Sequence, residues 1–312
     1  MKPKVIVIAG PTASGKTALS IELAKKINGE IISSDSMQIY KDMDIGTAKV
    51  TKEEMQGIKH YLVDFVSPTD RYSVSNFKKN AEKAIEEILQ KGKTPIVVGG
   101  TGLYIDSLIY GIEYPDMQFD ENYRNELLKK SKTEDGLKLL YEEANKIDPE
   151  AMKTISPNDV KRITRVLEIY KATGKNKTEN EILSRQKGVK YDYKVFVLNM
   201  DRDILYERIN YRVDKMLEQG LLEEVENLLK KYEKYSTAMQ AIGYKEVVEY
   251  LDKSISYDEM VEKIKQGSRN YAKRQLTWFR KNKDSVWLNA LDGIQNNLNI
   301  ILEGVNCEKW KN

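Results

Sequence analysis

The chain has 312 residues, enough to bury a substantial core in one large domain or two smaller ones. Its 40% apolar and 32% charged content fits a soluble globular protein, and a net charge of only +3 means that any nucleic-acid surface must come from local clustering. A lone Cys307 excludes an intrachain disulfide framework, and with the lone His60 it argues against a zinc site. No apolar run is long enough to span a bilayer, and the five-residue run at the N-terminus is not a signal peptide. A reducing, cytoplasmic setting is expected.

Val5-Ile6-Val7-Ile8-Ala9 reads as a buried strand. It leads into Gly10-Pro11-Thr12-Ala13-Ser14-Gly15-Lys16-Thr17, which fits the phosphate-loop pattern G-x-x-x-x-G-K-[ST] at every fixed position. Leu19, Leu23 and Ile27 then recur at helical spacing up to an Asn28-Gly29 stop. Glycines let successive backbone N–H groups point at an anion, and the helix N-terminus adds a partial positive charge. Lys16 adds a full charge, and the Thr17 hydroxyl can join a magnesium shell. The bland alternative, a glycine turn with a chance lysine, does not account for strand, loop and helix standing in register. The loop alone leaves open which phosphate compound binds and which bond breaks.

Residues 30–34 form a second strand that ends at Asp35-Ser36-Met37-Gln38-Ile39-Tyr40. Ligands of open α/β sheets bind at the carboxyl ends of strands, so Asp35 is placed to face the phosphate loop; otherwise it caps the next turn. Residues 41–75 read as loop and short helix, with a turn at Gly46-Thr47-Ala48-Lys49, a short edge strand over 60–64 and a structural role for His60. An amphipathic helix follows over 75–91, then a strand over 94–98 ending in Gly99-Gly100-Thr101-Gly102. Those glycines allow a second close backbone approach to a ligand, with Thr101 offering a hydroxyl, or serve only a tight turn. Three strand–loop–helix units in a row predict a doubly wound parallel sheet.

From about Tyr114 to Tyr193 there is no buried-strand signal, and helices are predicted over 120–131, 134–147, 158–173 and 178–186. Between Glu150 and Lys190 stand ten Lys/Arg against five Asp/Glu, with Lys161 and Arg165 one helical turn apart. This is a helical insertion with a basic face, or an ordinary solvated one. A strand returns over 194–200. In the next helix, 203–219, Arg208 and Arg212 lie four residues apart, as a diphosphate clamp or as a surface pair. Gln240 to Glu246 forms a loop-to-helix junction. Helix 257–283 ends in six Lys/Arg and no acid, interleaved with Tyr271, Trp278 and Phe279, a composition suited to RNA phosphates and base stacking. Residues 285–288 form a last edge strand, and the final twenty residues carry no functional signal.

Taken alone, these features describe an α/β phosphate-loop protein, and a kinase acting on a small acceptor is a fair reading. No apolar strand ends in the acidic pair of a water-activating nucleotide hydrolase. The motifs, in order over nearly the whole chain, resemble the bacterial tRNA dimethylallyltransferases, also called tRNA isopentenyltransferases. They are Gly10 to Thr17, Asp35 to Tyr40, Gly99 to Tyr104, Pro157 to Arg162, Gln240 to Glu246 and Tyr271 to Arg280. Lys59-His60-Tyr61 departs from the family's Pro-His-His run, which puts any shared role of those side chains in doubt.

The resemblance implies a P-loop NTPase-like parallel sheet flanked by helices, with an inserted all-helical domain. The core is expected over 1–114 and 194–312, the insertion over 115–193. It also implies transfer of a dimethylallyl group from its diphosphate to the N6 amine of the adenosine just 3′ of the anticodon, in tRNAs reading codons that begin with U. The loop, of the type ATP-binding proteins use, would hold the leaving diphosphate. Lys16, Arg212 and a Thr17-bound Mg²⁺ would neutralise it, and Thr101 would hydrogen-bond one of its oxygens. Asp35 would take the amine proton as the C–N bond forms. tRNA contacts are expected from Asp35, Ser36, Met37, Gln38, Thr101, Arg124, Asp159, Val160, Lys161, Arg162, Ile163, Gln240, Gly243 and Arg274. The partners are the tRNA anticodon stem-loop and dimethylallyl diphosphate, with no membrane, and the protein is expected to be a monomer. The rivals are a prenyltransferase acting on free AMP, ADP or ATP, which needs no basic insertion, a nucleoside kinase, and an RNA-binding protein with a dead loop.

Overall fold

The structure, a computed structural model, describes residues 2–114, 120–186, 188–232 and 237–306. The first apolar run becomes β1 (Lys4–Ala9), whose last five residues are completely buried. There follow α1 (Lys16–Ile27), β2 (Gly29–Ser33), α2 (Lys52–Met55), β3 (His60–Tyr61), α3 (Val74–Gln90), β4 (Thr94–Gly99) and α4 (Gly102–Ile109). Five helices come next: α5 (Glu121–Lys130), α6 (Glu134–Ile147), α7 (Pro149–Met152), α8 (Val160–Thr173) and α9 (Lys177–Gln186). The chain returns through β5 (Asp192–Asn199), α10 (Arg202–Glu218), α11 (Leu221–Lys231), α12 (Tyr244–Leu251), α13 (Tyr257–Phe279), β6 (Val286–Asn289) and α14 (Ile294–Asn306).

The six strands among the described residues form one parallel sheet in the order β3-β2-β4-β1-β5-β6. Its central strands are apolar on both faces, as a sheet covered on both sides requires. On one face Ile6, Ile8, Ile31, Ile96 and Phe196 pack with Leu19 and Leu23 of α1 and with Leu298 and Ile301 of α14. The final helix, silent in the sequence as to function, thus closes the core. A second cluster joins Val213, Leu221, Val225, Tyr244, Val247 and Ile264 of α10–α13 to Tyr40 and Met43 of the segment after β2.

Contacts divide the chain into two compact units. One runs up to Asp106 and resumes at Lys190; the other is Ser107–Val189. The second contains only helices among its described residues, built on Leu127, Leu140, Ala144, Ile163, Val166 and Leu167. The edge strand expected over 60–64 stops at Tyr61, because Leu62 and Asp64 take positive φ (61° and 57°) and break the extended path. The helix expected to reach 283 ends at Phe279, after which no apolar side chain is left on its buried face. Because every strand is parallel, the loops after β1, β2 and β4 emerge along one edge. β4 lies between β1 and β2, so the phosphate loop and Asp35 stand about two strand spacings, ~10 Å, apart.

Candidate functional site

The phosphate loop folds as its sequence requires. Gly15 takes φ +89° at the N-cap of α1, a left-handed position that L side chains resist. A cavity of about 390 Å³ opens there, and Thr12, Lys16 and Thr17 line it. Gly10, Pro11, Ala13, Ser14 and Gly15 supply the backbone frame. The Lys16 ammonium donates to Pro11 O at 2.5 Å and reaches Ser14 Oγ at 3.5 Å. Burial and the nearby Arg212 charge push it down to about 7, while Asp35 pulls the other way. Arg212 lines the same cavity, is itself lowered by burial against the pull of Asp35, and donates to Thr12 Oγ1 at 3.2 Å. The expected two-arginine clamp is not formed: Arg208 is exposed and outside the cavity lining, so Arg212 acts without it.

Asp35 follows β2 at the cavity wall. Its Oδ1 accepts from Met37 N at 2.8 Å and from Gln38 N at 3.3 Å. The carboxylate therefore both caps the turn and, through its other oxygen, is available to a ligand. Ser36, Met37 and Gln38 line the cavity beside it. The Gln38 amide donates to Ala48 O at 3.0 Å and Thr47 O at 3.4 Å. Thr101 Oγ1 accepts from Ser36 N at 3.1 Å and lies 3.3 Å from Ser36 Oγ, so it braces the Asp35 turn. Tyr271 also lines the cavity. Burial foremost, with Asp35, raises its hydroxyl to about 12, against hydrogen bonding to Thr101. Gln240, Gly243 and Arg274 complete this wall, and the Gly243 N–H donates to Glu246 Oε2 at 2.8 Å.

Three features escaped the sequence. Glu224 of α11 accepts from the N–H groups of Asp44, Ile45 and Gly46 at 2.9, 2.7 and 3.1 Å, and from Tyr244 Oη at 2.6 Å. Gln275 of α13 reaches both the phosphate loop and the loop after β4. His60 lines the cavity, with Nδ1 2.9 Å from Ile58 O and its basicity lowered by burial. The i, i+4, i+7 stripe of Leu221, Val225 and Leu228 would have revealed α11, but no local signal marks Glu224. The base-stacking role expected of the α13 aromatics is overturned for one of them, Phe279. Phe279 is core, and Trp278 turns inward to give its indole N–H to Asp106 Oδ2 at 2.9 Å.

In the helical unit, Asp159 caps α8 by accepting from Arg162 N at 3.1 Å, and its other oxygen lies 3.3 Å from Arg162 Nε. Lys161 and Arg162 are exposed, and Val160 is half-buried. Arg124 of α5 and Arg165 of α8 both approach the buried Glu168 carboxylate, at 3.7 and 3.3 Å. The Ile163 side chain is completely buried in this unit's core, so the part of that position left to meet RNA is its backbone.

A family model described as IPP transferase matches residues 38–282. The chain is 51% identical over 284 residues to a tRNA dimethylallyltransferase of Thermoanaerobacter sp. (strain X514), covering 90% of each. It is 50% identical over 292 residues to a tRNA dimethylallyltransferase of Bacillus cereus, covering 94% of this chain and 92% of the relative. A solved tRNA delta(2)-isopentenylpyrophosphate transferase from Staphylococcus epidermidis is 47% identical, with a TM-score of 0.73 over 98% of this chain and 99% of that one. A eukaryotic dimethylallyltransferase solved acting on tRNA is 34% identical, with a TM-score of 0.80 over 97% of this chain and 78% of that one.

Proposed function

This chain belongs to the IPP transferase family, and from that premise we propose that it transfers a dimethylallyl group from dimethylallyl diphosphate to tRNA. The acceptor is the N6 amine of the adenosine just 3′ of the anticodon, in tRNAs reading codons that begin with U, and diphosphate is released. One observation carries this reading: a carboxylate, Asp35, and two half-buried cations, Lys16 and Arg212, line a single cavity at the phosphate loop.

The phosphate loop, Lys16 and Arg212 hold the diphosphate and neutralise the charge that grows as the allylic C–O bond breaks. Thr101 adds a hydroxyl to a diphosphate oxygen. As N6 attacks, its proton becomes acidic and passes to Asp35. Both backbone bonds to that carboxylate fall on Oδ1, which leaves Oδ2 for the amine. Thr17 suits a magnesium ion that arrives with the diphosphate. Its residue lines the cavity, and among the described residues no cluster of His, Cys, Asp or Glu offers an all-protein cage. When bound, the ion supplies further neutralisation of the leaving group.

The target base must leave the anticodon-loop stack, at a cost of roughly a few kcal/mol. Met37 and Gln38 read it beside Asp35, with Ser36, Gln240, Gly243 and Arg274 contacting the RNA around the cavity. Arg124, Asp159, Val160, Lys161 and Arg162 meet neighbouring nucleotides from the helical unit. The protein acts as a monomer in the cytoplasm, where its substrate is. The test offers radiolabelled dimethylallyl diphosphate and Mg²⁺ with unmodified tRNA or AMP in parallel. Label in tRNA and not in AMP is expected. Label in AMP alone would replace the substrate, and phosphate transfer from ATP would replace the reaction.

A further inference from the structure

Gln275 lies on α13, 263 residues along the chain from Thr12, yet it is buried at the phosphate loop. Its Oε1 accepts from Thr12 N at 2.9 Å, and its Nε2 donates to Gly100 O at 2.9 Å. Backbone pairing of β1 with β4 ends at Ala9 and Gly99. Beyond that point the side-chain amide takes the place of a peptide group and carries the pairing on between the two loops. The seat is tight: a Cβ on Gly100 would stand 2.1 Å from Nε2.

Each loop held in this way carries one half of the chemistry. Thr12 accepts from Arg212 through its hydroxyl at 3.2 Å. Gly100 precedes Thr101, whose hydroxyl accepts from Ser36 N at 3.1 Å, one residue from Asp35. We infer that Gln275 is a positioning residue, which sets the register of the diphosphate-holding loop against the turn that presents Asp35 to the amine. This rests on the transfer reaction proposed above. A displacement of about 1 Å between reacting groups costs on the order of 100-fold in rate, and a buried amide satisfied at both ends is suited to prevent one.

Gln275→Met keeps length and volume but loses both hydrogen bonds, Gln275→Glu keeps only the acceptor for Thr12 N–H, and Gly100→Ala displaces the amide. Single-turnover transfer to an unmodified anticodon stem-loop is measured with melting temperature, stem-loop affinity and hydrogen exchange at the Thr12 amide. Gln275→Met should lose about 100-fold in rate with stem-loop affinity little changed and only a few degrees lost in melting temperature, Gln275→Glu should fall between, and Thr12 exchange should accelerate. Gly100→Ala should slow the wild type strongly and a Gln275→Ala protein, whose short side chain no longer meets the added Cβ, little further, since both break one link. A Gln275→Met protein with full rate and protected Thr12, or rate losses that add independently, would overturn the inference. A wild type that labels no RNA would sink the transfer reaction instead, and Thr12 exchange would still decide on the strap.

Discussion

Replacing Glu224 by glutamine should harm this protein far more than one carboxylate-to-amide change on a helix normally does. The carboxylate is filled on both oxygens. Oε2 accepts from Asp44 N and Ile45 N, and Oε1 accepts from Gly46 N and Tyr244 Oη. Three partners are backbone N–H groups and the fourth is a hydroxyl that can also accept, so a glutamine of the same shape fits best with its NH₂ toward Gly46 N and Tyr244 Oη, which loses the Gly46 bond, reverses the tyrosine's and leaves the other two on an uncharged acceptor. Bonds to a charged acceptor contribute about 1.5–3 kcal/mol each when sheltered. Glu224 is half-buried and the Asp44 bond is exposed, so water recovers part of the loss. A net loss of about 2–4 kcal/mol follows, or roughly 3–6 °C in melting temperature at this size. The loop so released supplies Thr47 O and Ala48 O to the Gln38 amide, so the cavity wall that carries Gln38 loosens with it. Thermal melting and kcat/KM for the stem-loop at saturating dimethylallyl diphosphate make the assay. Glu224→Gln should melt early and lose kcat/KM for RNA, and Tyr244→Phe should do so more mildly. A Glu224→Gln protein with wild-type melting and kcat/KM would refute the idea that this carboxylate shapes the site.

Asp35→Ala should lose about 10²–10⁴-fold in single-turnover transfer while still binding the stem-loop; wild-type turnover would remove Asp35 from the chemistry. Charge reversal at Lys161 and Arg162 should weaken RNA binding and flatten its salt dependence, by about 0.7 in the log–log slope per lost single-strand phosphate contact, and an unchanged slope would take these residues off the RNA. Burial holds Lys16 near 7, so between that pH and the unfolded value the unfolded chain binds more protons. Wild-type stability relative to Lys16→Met should accordingly rise from pH 7 toward pH 10 in phosphate-free buffer; a flat difference in melting temperature would mean that Lys16 is not strained by burial.

What the sequence revealed is what local chemistry writes into neighbouring positions. β1, the phosphate loop and α1 form one contiguous stretch, and Asp35 stands at the end of an apolar run, so both were legible without any contact information. The same holds for the helices after Asp120, whose caps at Asp120, Thr133 and Asp159 are local side-chain-to-backbone bonds. Gln275 and Glu224 were illegible because their partners lie 263 and about 180 residues away, and nothing near a glutamine on a basic helix says that it faces inward. Composition misled in the same way. Arg208 and Arg212 share a helix spacing but only Arg212 reaches the cavity, and Phe279 sits among cations yet belongs to the core. Ile163 belonged to a motif on which an RNA role was placed, but its apolar side chain obeys the helical period and goes to the core.

The most direct measurement is mass mapping of an unmodified anticodon stem-loop after incubation with the protein, dimethylallyl diphosphate and Mg²⁺, with released diphosphate counted in the same tube. One prenyl group on the adenosine 3′ of the anticodon, and one diphosphate per group transferred, is the predicted result. Unaltered RNA beside wild-type folding and tight diphosphate binding, or a phosphate gained from ATP in place of a prenyl group, would contradict it.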